Sequence, residues 1–264
     1  MIAGPTLEDR FFAGYFRRKG RGFHRLMRWR GKTTVRCRIR YGALFDLAPL
    51  DYIDAIALRD GYYESEVMEA LRPFLTADSV FWDVGANIGL HAITAARLSP
   101  LTRVVAFEPN PAVASRLRSH AELNAAPVEV QPLALGDRDG DATLQLGPPG
   151  NAGMSSLVPR KGDASVRVRI ARADTLIDSG ALPAPNVVKL DIEGAESLAL
   201  RGFGQHLAAP SLRAVIFESD PRVADFPGHC PAASLLAASH FTLQRLERRE
   251  SSAHLLANFL AVRS

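Results

Sequence analysis

Val80-Phe81-Trp82-Asp83-Val84-Gly85-Ala86-Asn87-Ile88-Gly89 decides how the rest of the chain is read. An apolar run over 80–82 ends in an acid, a glycine-rich turn follows, and a helical stretch runs from about Leu90 to Leu98. This is the strand, loop and helix opening of a βαβ unit. Its glycines let the backbone turn tightly and approach a ligand at the N-terminus of the next helix. The spacing is Asp-x-Gly-x-x-x-Gly, which differs from the Gly-x-Gly-x-x-Gly of dinucleotide dehydrogenases. A pyrophosphate calls for bare N–H groups and no nearby anion, whereas Asp83 places a carboxylate beside the turn. That carboxylate suits a ligand carrying an ammonium group and a positive sulfonium, such as S-adenosylmethionine.

Outward from this stretch, Arg103-Val104-Val105-Ala106-Phe107 reads as the next strand and ends in Glu108-Pro109-Asn110-Pro111. Glu108 stands at about the distance where Rossmann-like folds place the acid that takes ribose hydroxyls. A carboxylate accepts two hydrogen bonds from vicinal hydroxyls, so Asp83 and Glu108 together favour a nucleoside site. A helix over 111–123 and a strand over 128–131 continue the alternation, which predicts an α/β fold with a parallel sheet and helices on both faces. Leu133-Ala134-Leu135-Gly136-Asp137 follows at the sheet edge, where Ala134 and Leu135 suit the flanks of an adenine ring.

The rhythm then changes. Strands over 142–146 and 166–170 suggest a hairpin-like insertion, joined by a loop with Asn151, Gly153, Ser155 and Ser156 that would shape an acceptor pocket. Asn186-Val187-Val188-Lys189-Leu190-Asp191 is the next strand, with Lys189 and Asp191 on one face by period two. It runs into Ile192-Glu193-Gly194-Ala195-Glu196 and a helix to about Arg201. Such a cluster of charges is unusual at the end of a strand that is normally buried. A further strand (213–218), a helix (231–239) and a closing antiparallel pair (241–246 with 258–262) complete the chain. Arg248, Arg249 and Glu250 read as a solvated turn.

Before this core, 51–59 and 65–74 read as helices. The turn between them, Asp60-Gly61-Tyr62-Tyr63-Glu64, either folds over the cofactor end of the sheet or simply connects the helices. Earlier still, 33–40 alternates Val35, Cys37 and Ile39 with arginines, as in a half-buried strand, and 41–47 suits its hairpin partner. The chain divides into a basic extension (1–50) and a catalytic domain (51–264). Twelve Lys and Arg stand against two acids before Tyr41, so residues 1–40 carry +10 and the remainder −6 of the overall +4. Phe12, Phe16, Phe23 and Met27 fall near one helical face, suited to an anionic membrane surface or a polyanion. Gly20 and Gly22 weaken that helix by about 1 kcal/mol each, and packing of this face on the domain is the competing expectation.

Length and a hydrophobic content of 47% fit a globular protein. Cys37 and Cys230 show no CxxC or ligand spacing, so no disulfide framework or zinc site is expected, and a cytoplasmic setting is the default. No apolar run approaches the length of a spanning helix.

Asp83-Val-Gly-Ala-Asn-Ile-Gly, Phe107-Glu-Pro-Asn, Ala134-Leu-Gly-Asp, the Ser155-Ser-Leu loop and Lys189-Leu-Asp-Ile-Glu-Gly-Ala-Glu, in that order, resemble the FkbM family of class I S-adenosylmethionine-dependent methyltransferases. The likeness runs from about Asp60 to the C-terminus and leaves out the basic extension. It implies a seven-stranded Rossmann-like sheet with its last strand antiparallel, and O-methylation of hydroxyls on sugars, glycans or secondary metabolites. Carried over by position, Asp83, Gly85, Asn87, Gly89 and Glu108 would be cofactor contacts; Pro109 beside Glu108 and Leu135 at the adenine complete the expected set. Asp191 and Glu193 would face the reacting centre. Asp191 is the first choice of base and Glu193 the second, with Glu196 or Lys189 orienting; helix capping by Asp191 is the alternative. His91 either touches the methionine carboxylate or packs. A metal is left out for want of a clear third ligand.

Three rivals stand beside this reading. A nicotinamide-dependent dehydrogenase calls for a different glycine pattern. A silent cofactor-binding protein has no need of the 189–196 charges. A nucleic-acid methyltransferase is favoured only by the arginines, and the Asn/Asp-Pro-Pro-Tyr/Phe motif of base-amine methylation is missing.

Overall fold

The computed structural model describes residues 33–158, 164–220, 229–247 and 256–264, with 31 and a few earlier positions (4–7, 9, 10, 13 and 14). The aromatic helix expected through Phe16, Phe23 and Met27, and the turn at 248–250, lie outside the described residues. In chain order the elements are β1 (Val35–Arg38), β2 (Leu44–Leu47), α1 (Tyr52–Asp60), α2 (Ser65–Leu71), β3 (Val80–Val84), α3 (Leu90–Leu98), β4 (Arg103–Phe107) and α4 (Pro111–Leu123). After them come β5 (Val128–Gln131), β6 (Leu133–Leu135), β7 (Gly140–Gln145), β8 (Ser165–Ala171), α5 (Ala173–Asp178) and β9 (Val187–Leu190). The last are α6 (Glu196–Gly202), β10 (Ala214–Ser219), α7 (Pro231–Ala238), β11 (Phe241–Arg245) and β12 (Ala257–Arg263).

Seven of the described strands form one sheet in the order β11-β12-β10-β9-β3-β4-β5. The five from β10 to β5 pair in parallel, and β12 runs antiparallel to both β10 and β11. This is the class I methyltransferase arrangement that the resemblance implied. The central strands are apolar nearly throughout because alternate residues feed two cores. Val104 and Ala106 of β4 join the core with α3 and α4, while Val105 and Phe107 join the one with α6 and α7. Asp83, Lys189 and Glu218, near the carboxyl ends of their parallel strands, and Asn258, near the amino end of antiparallel β12, interrupt the apolar pattern on the α3 side. Asp83 and Lys189 are register partners, as are Glu218 and Asn258.

The insertion differs from the expected hairpin. β7 and β8 pair antiparallel as foreseen, but β6 joins β8 in parallel to make a second, three-stranded sheet. Three residues directly after β5 carry no strand signal of their own; only the partner β8 makes Leu133–Leu135 a strand. The second expected helix also ends early, at Leu71, with Arg72–Phe74 as a 3-10 turn. Pro73 explains this, since it offers no N–H to continue the helix.

β1 and β2 form the expected hairpin, with Val35, Cys37 and Phe45 buried in the same core as α3 and α4 residues. Asn124, at the end of α4, clamps it. Its Oδ1 accepts from the Leu44 amide at 2.8 Å and its Nδ2 donates to the Leu44 carbonyl at 2.7 Å. His120 adds a bond from the Asp46 amide to Nε2 at 3.2 Å while Nδ1 meets the Ile88 carbonyl at 3.1 Å. Asn124→Ala leaves buried backbone groups of β2 without partners, so a stability loss of about 2–3 kcal/mol is expected in urea denaturation. An effect below about 0.5 kcal/mol, the range of inert surface changes, would show that the clamp holds nothing. No described helix is long and apolar enough to cross a membrane.

Candidate active site

The turn after β3 is shaped by two close approaches. The Gly85 and Ala86 amides both donate to the Phe107 carbonyl at 3.0 Å, drawing the turn onto the end of β4. Gly85 has φ +79°, and a Cβ there would lie 1.9 Å from the Asp191 carbonyl oxygen. Glycine is therefore demanded twice, by conformation and by space. Gly89, at φ +91°, stands just before α3 with Ile93 and Leu117 behind it, packed against the helix rather than the open cleft. Asn87 is left-handed at φ 49° and its amide donates to Glu108 Oε2 at 3.0 Å.

Glu108, expected at the ribose, has two backbone partners of its own. Its Oε1 accepts from the Asn110 amide at 2.8 Å, so one carboxylate ties the glycine turn to the loop entering α4. Burial pushes this carboxyl up to about 7, against the opposing pull of the Asn110 and Asn87 amides. Folding thus favours the protonated form: the stability it contributes is complete below the ordinary value of 4.5 and is lost as pH rises through about 7. Compared with Glu108→Gln, the protein without cofactor should lose on the order of 2–3 kcal/mol between about pH 5 and pH 8. Urea denaturation of both proteins at the two pH values checks this, and a constant difference between them would refute it.

Asp83 takes a position the sequence did not suggest. It is fully buried, does not line the cleft, and meets Lys189 Nζ from the neighbouring strand at 3.3 Å. Lys189 Nζ also donates to Asp191 Oδ2 at 3.2 Å. Burial opposes the Lys189 charge, yet Asp191, Asp83 and Glu64 outweigh it and hold the ammonium above its ordinary range. Burial raises the Asp83 carboxyl, and Lys189 opposes the rise. The turn between α1 and α2 supplies Glu64, buried and left-handed at φ 55°, with Asn258 Nδ2 donating to its Oε1 at 3.1 Å and to Glu66 Oε1 at 3.3 Å. That turn connects the helices and also sends Tyr63 to the cleft wall. Asn258 was missed, although a polar residue in an apolar closing strand was a readable signal. His91 packs edge-on against Tyr62, with ring centroids 5.7 Å apart, and its Nε2 lies 3.4 Å from the Glu64 carbonyl. Burial, aided by Lys189, drops its pKa to about 3, so it is neutral.

The turn after β9 is held by its own acid. Glu196 Oε1 accepts from the Ile192 amide at 3.1 Å and the Gly194 amide at 3.3 Å. The residue before α6 is Ala195, with no side-chain cap, so Asp191 does not cap this helix. Ser156 Oγ of the insertion loop donates to the Glu193 carbonyl at 2.8 Å, pinning Glu193 in a left-handed conformation at φ 54°. Asp191, with 28% of its side chain exposed, opens onto the cleft.

These elements enclose a cleft of about 370 Å³ at the carboxyl ends of the parallel strands. Gly85, Asn87, Glu108, Pro109, Leu135, Asp191 and Glu193 all line it, whereas Asp83 and Gly89 stand behind it. Tyr52, Ile53, Met154 and Glu218 also line it, and sequence reasoning missed them because they come from far-apart segments. The Tyr52 amide donates to the Gly150 carbonyl at 2.7 Å, which fixes the insertion loop against α1. Among the described residues no three His, Cys, Asp or Glu side chains converge as metal ligands. A buried acid at the end of β4, apolar walls from Leu133 to Leu135, and an acid at the end of β9 form a donor set that fits a nucleoside joined to a cationic amino acid.

The methyltransferase FkbM domain family matches residues 83–249, more than half of the chain. The chain belongs to the FkbM methyltransferase family. As an FkbM methyltransferase it is S-adenosylmethionine-dependent, which sets aside the dehydrogenase alternative. It is 35% identical over 180 residues to the hexuronic acid methyltransferase AglP of Haloferax volcanii, covering 67% of this chain and 70% of that protein. It is 30% identical over 146 residues to Methyltransferase 1 of Beauveria bassiana, covering 47% of this chain and 58% of that one. A solved FkbM methyltransferase from Methylobacillus flagellatus KT superposes with a TM-score of 0.47 at 14% identity, over 71% of this chain and 44% of that one.

Proposed function

We propose that this FkbM methyltransferase O-methylates a hydroxyl of a sugar, glycan or secondary metabolite, with Asp191 as the base. The observation that carries the reading is Asp191 itself. It ends the strand next to β3, faces the cleft, and has its Oδ2 held 3.2 Å from Lys189 Nζ. The name of the AglP relative supports a sugar acceptor. We place the catalytic domain at 51–264, preceded by the basic extension.

Bound S-adenosylmethionine supplies an electrophilic methyl group on a sulfonium. Glu108 would accept ribose hydroxyls with the lone pairs its two backbone amides leave over, and Leu135 and Pro109 would wall the adenine. The glycine turn lets the backbone approach the amino-acid end, while Asp83 acts from behind through Lys189. An alkyl hydroxyl is a poor nucleophile until its proton is taken. Asp191 would take the proton of the acceptor hydroxyl, whose oxygen would receive the methyl group that the cofactor supplies. Lys189 orients that carboxylate, and Glu193 stands beside it as a second acceptor.

The test is transfer of label from methyl-labelled cofactor to a panel of hydroxyl-bearing sugars and polyols, with the labelled atom located by NMR. Label on oxygen is expected. Label on nitrogen or carbon overturns the proposal.

A further inference from the structure

The insertion loop reaches the turn after β9 through a residue that does not itself line the cleft. Ser156 is 1% exposed, and its backbone is fixed to the end of β7. Its amide donates to the Gln145 carbonyl at 2.9 Å, and the Gln145 amide donates to its carbonyl at 2.8 Å. The hydroxyl is used in both senses: Oγ donates to the Glu193 carbonyl at 2.8 Å and accepts from the Val158 amide at 3.0 Å. On either side of Ser156, Ser155 and Leu157 line the cleft, as do Asp191, Ile192 and Glu193 across that bond.

We propose that Ser156 is a positioning residue of the transfer site: seated on the second sheet, it holds the turn that carries Asp191 and Glu193, so that insertion loop and turn form one unit around the bound ligands. The turn needs such a hold. Glu193 and Gly194 are successive left-handed residues, at φ 54° and +94°, and a glutamate keeps that conformation only where its surroundings impose it. The other side of the turn has no slack, since the Asp191 carbonyl oxygen abuts Gly85. The loop is also seated at its far end. The Tyr52 amide donates to the Gly150 carbonyl, and a Cβ on Gly153 would lie 2.5 Å from Ile53 Cδ1 and 3.2 Å from Asn87 Nδ2. One run of contacts thus joins the glycine turn at Asn87, the insertion loop and the turn at Glu193. The inference holds whichever residue takes the acceptor's proton and whichever atom is methylated.

The experiment is hydrogen–deuterium exchange on the full chain saturated with S-adenosylhomocysteine. The reporters are the Ile192 and Gly194 amides, both bonded to Glu196 Oε1, read in peptides covering 190–197. In Ser156→Ala, exchange there should rise about fivefold or more, the order expected for one lost hydrogen bond. Peptides from β3 and β4 should not change, and affinity for S-adenosylhomocysteine should stay within about tenfold. Ser156→Thr, which keeps the hydroxyl, should exchange as the unmodified protein does. Unchanged exchange at 190–197 in the alanine protein overturns the inference, and so does a threonine protein as fast as the alanine one. An equal rise in β3 and β4 also overturns it, by making the hydroxyl a support of the whole fold. Loss of S-adenosylhomocysteine binding by folded Ser156→Ala overturns it too, by putting the hydroxyl's work on the donor side. If Ser156→Ala does not fold, Ser156→Cys carries the comparison, because a thiol fills the space but donates weakly. A local rise of about twofold or more then sustains the inference, and no rise overturns it.

Discussion

Asp191→Asn should lower kcat by about 10²- to 10⁴-fold, the usual contribution of a positioned general base, while affinity for S-adenosylhomocysteine stays within about threefold. The substitution is chosen because asparagine keeps the shape and an oxygen for Lys189 Nζ, which sits 3.2 Å from Asp191 Oδ2. The buried cation therefore keeps a partner, and folding is disturbed little. What disappears is the basic oxygen. Loss in kcat with unchanged acceptor KM marks an interaction made in the transition state. Unchanged turnover would move the base elsewhere, and Glu193→Gln would then be the next variant to measure. Lys189→Met should be far more damaging to folding than Asp191→Asn. It leaves Asp83 fully buried with its ion-pair partner gone, a change of the kind that costs several kcal/mol.

Gly85→Ala should cost more than about 3 kcal/mol of stability or abolish cofactor binding, combining a left-handed penalty of about 1–2 kcal/mol with a backbone collision. The new Cβ would sit 1.9 Å from the Asp191 carbonyl oxygen, an atom with no side-chain freedom to move aside. Relief means separating the ends of β3 and β9, and that displaces the proposed base along with the turn. Gly61→Ala is the matched control. Gly61 has φ +85° but no atom within 4 Å of its Cβ position, so alanine there should cost only the conformational part. Melting curves of the two variants separate collision from strain. Equal losses would show that the approach of the two strands is not tight.

Much of this fold is legible because its signals are local. The alternation that makes 80–84 and 103–107 strands, the glycines between strand and helix, and the opposite-face split of 33–40 each rest on neighbours in sequence. Even the pairing of Lys189 with Asp191 follows from period two, since both lie on one face of a single strand. The failures share another cause. Leu133–Leu135 became a strand only through β8, and the Asp83 carboxylate turned to a lysine in another strand rather than to the cleft.

The sequence by itself determined the alternation of strands and helices in the main sheet, the glycine turn, the acids at the strand ends and the family. Tertiary structure alone decided which charges meet across strands. Bringing β3 beside β9 makes Asp83 and Lys189 register partners, and the fold brings Asn258 and Glu64 together beside the same buried pair. The reason is physical: a buried charge must find its counter-charge wherever the sheet order puts one, and sheet order is a property of non-local packing.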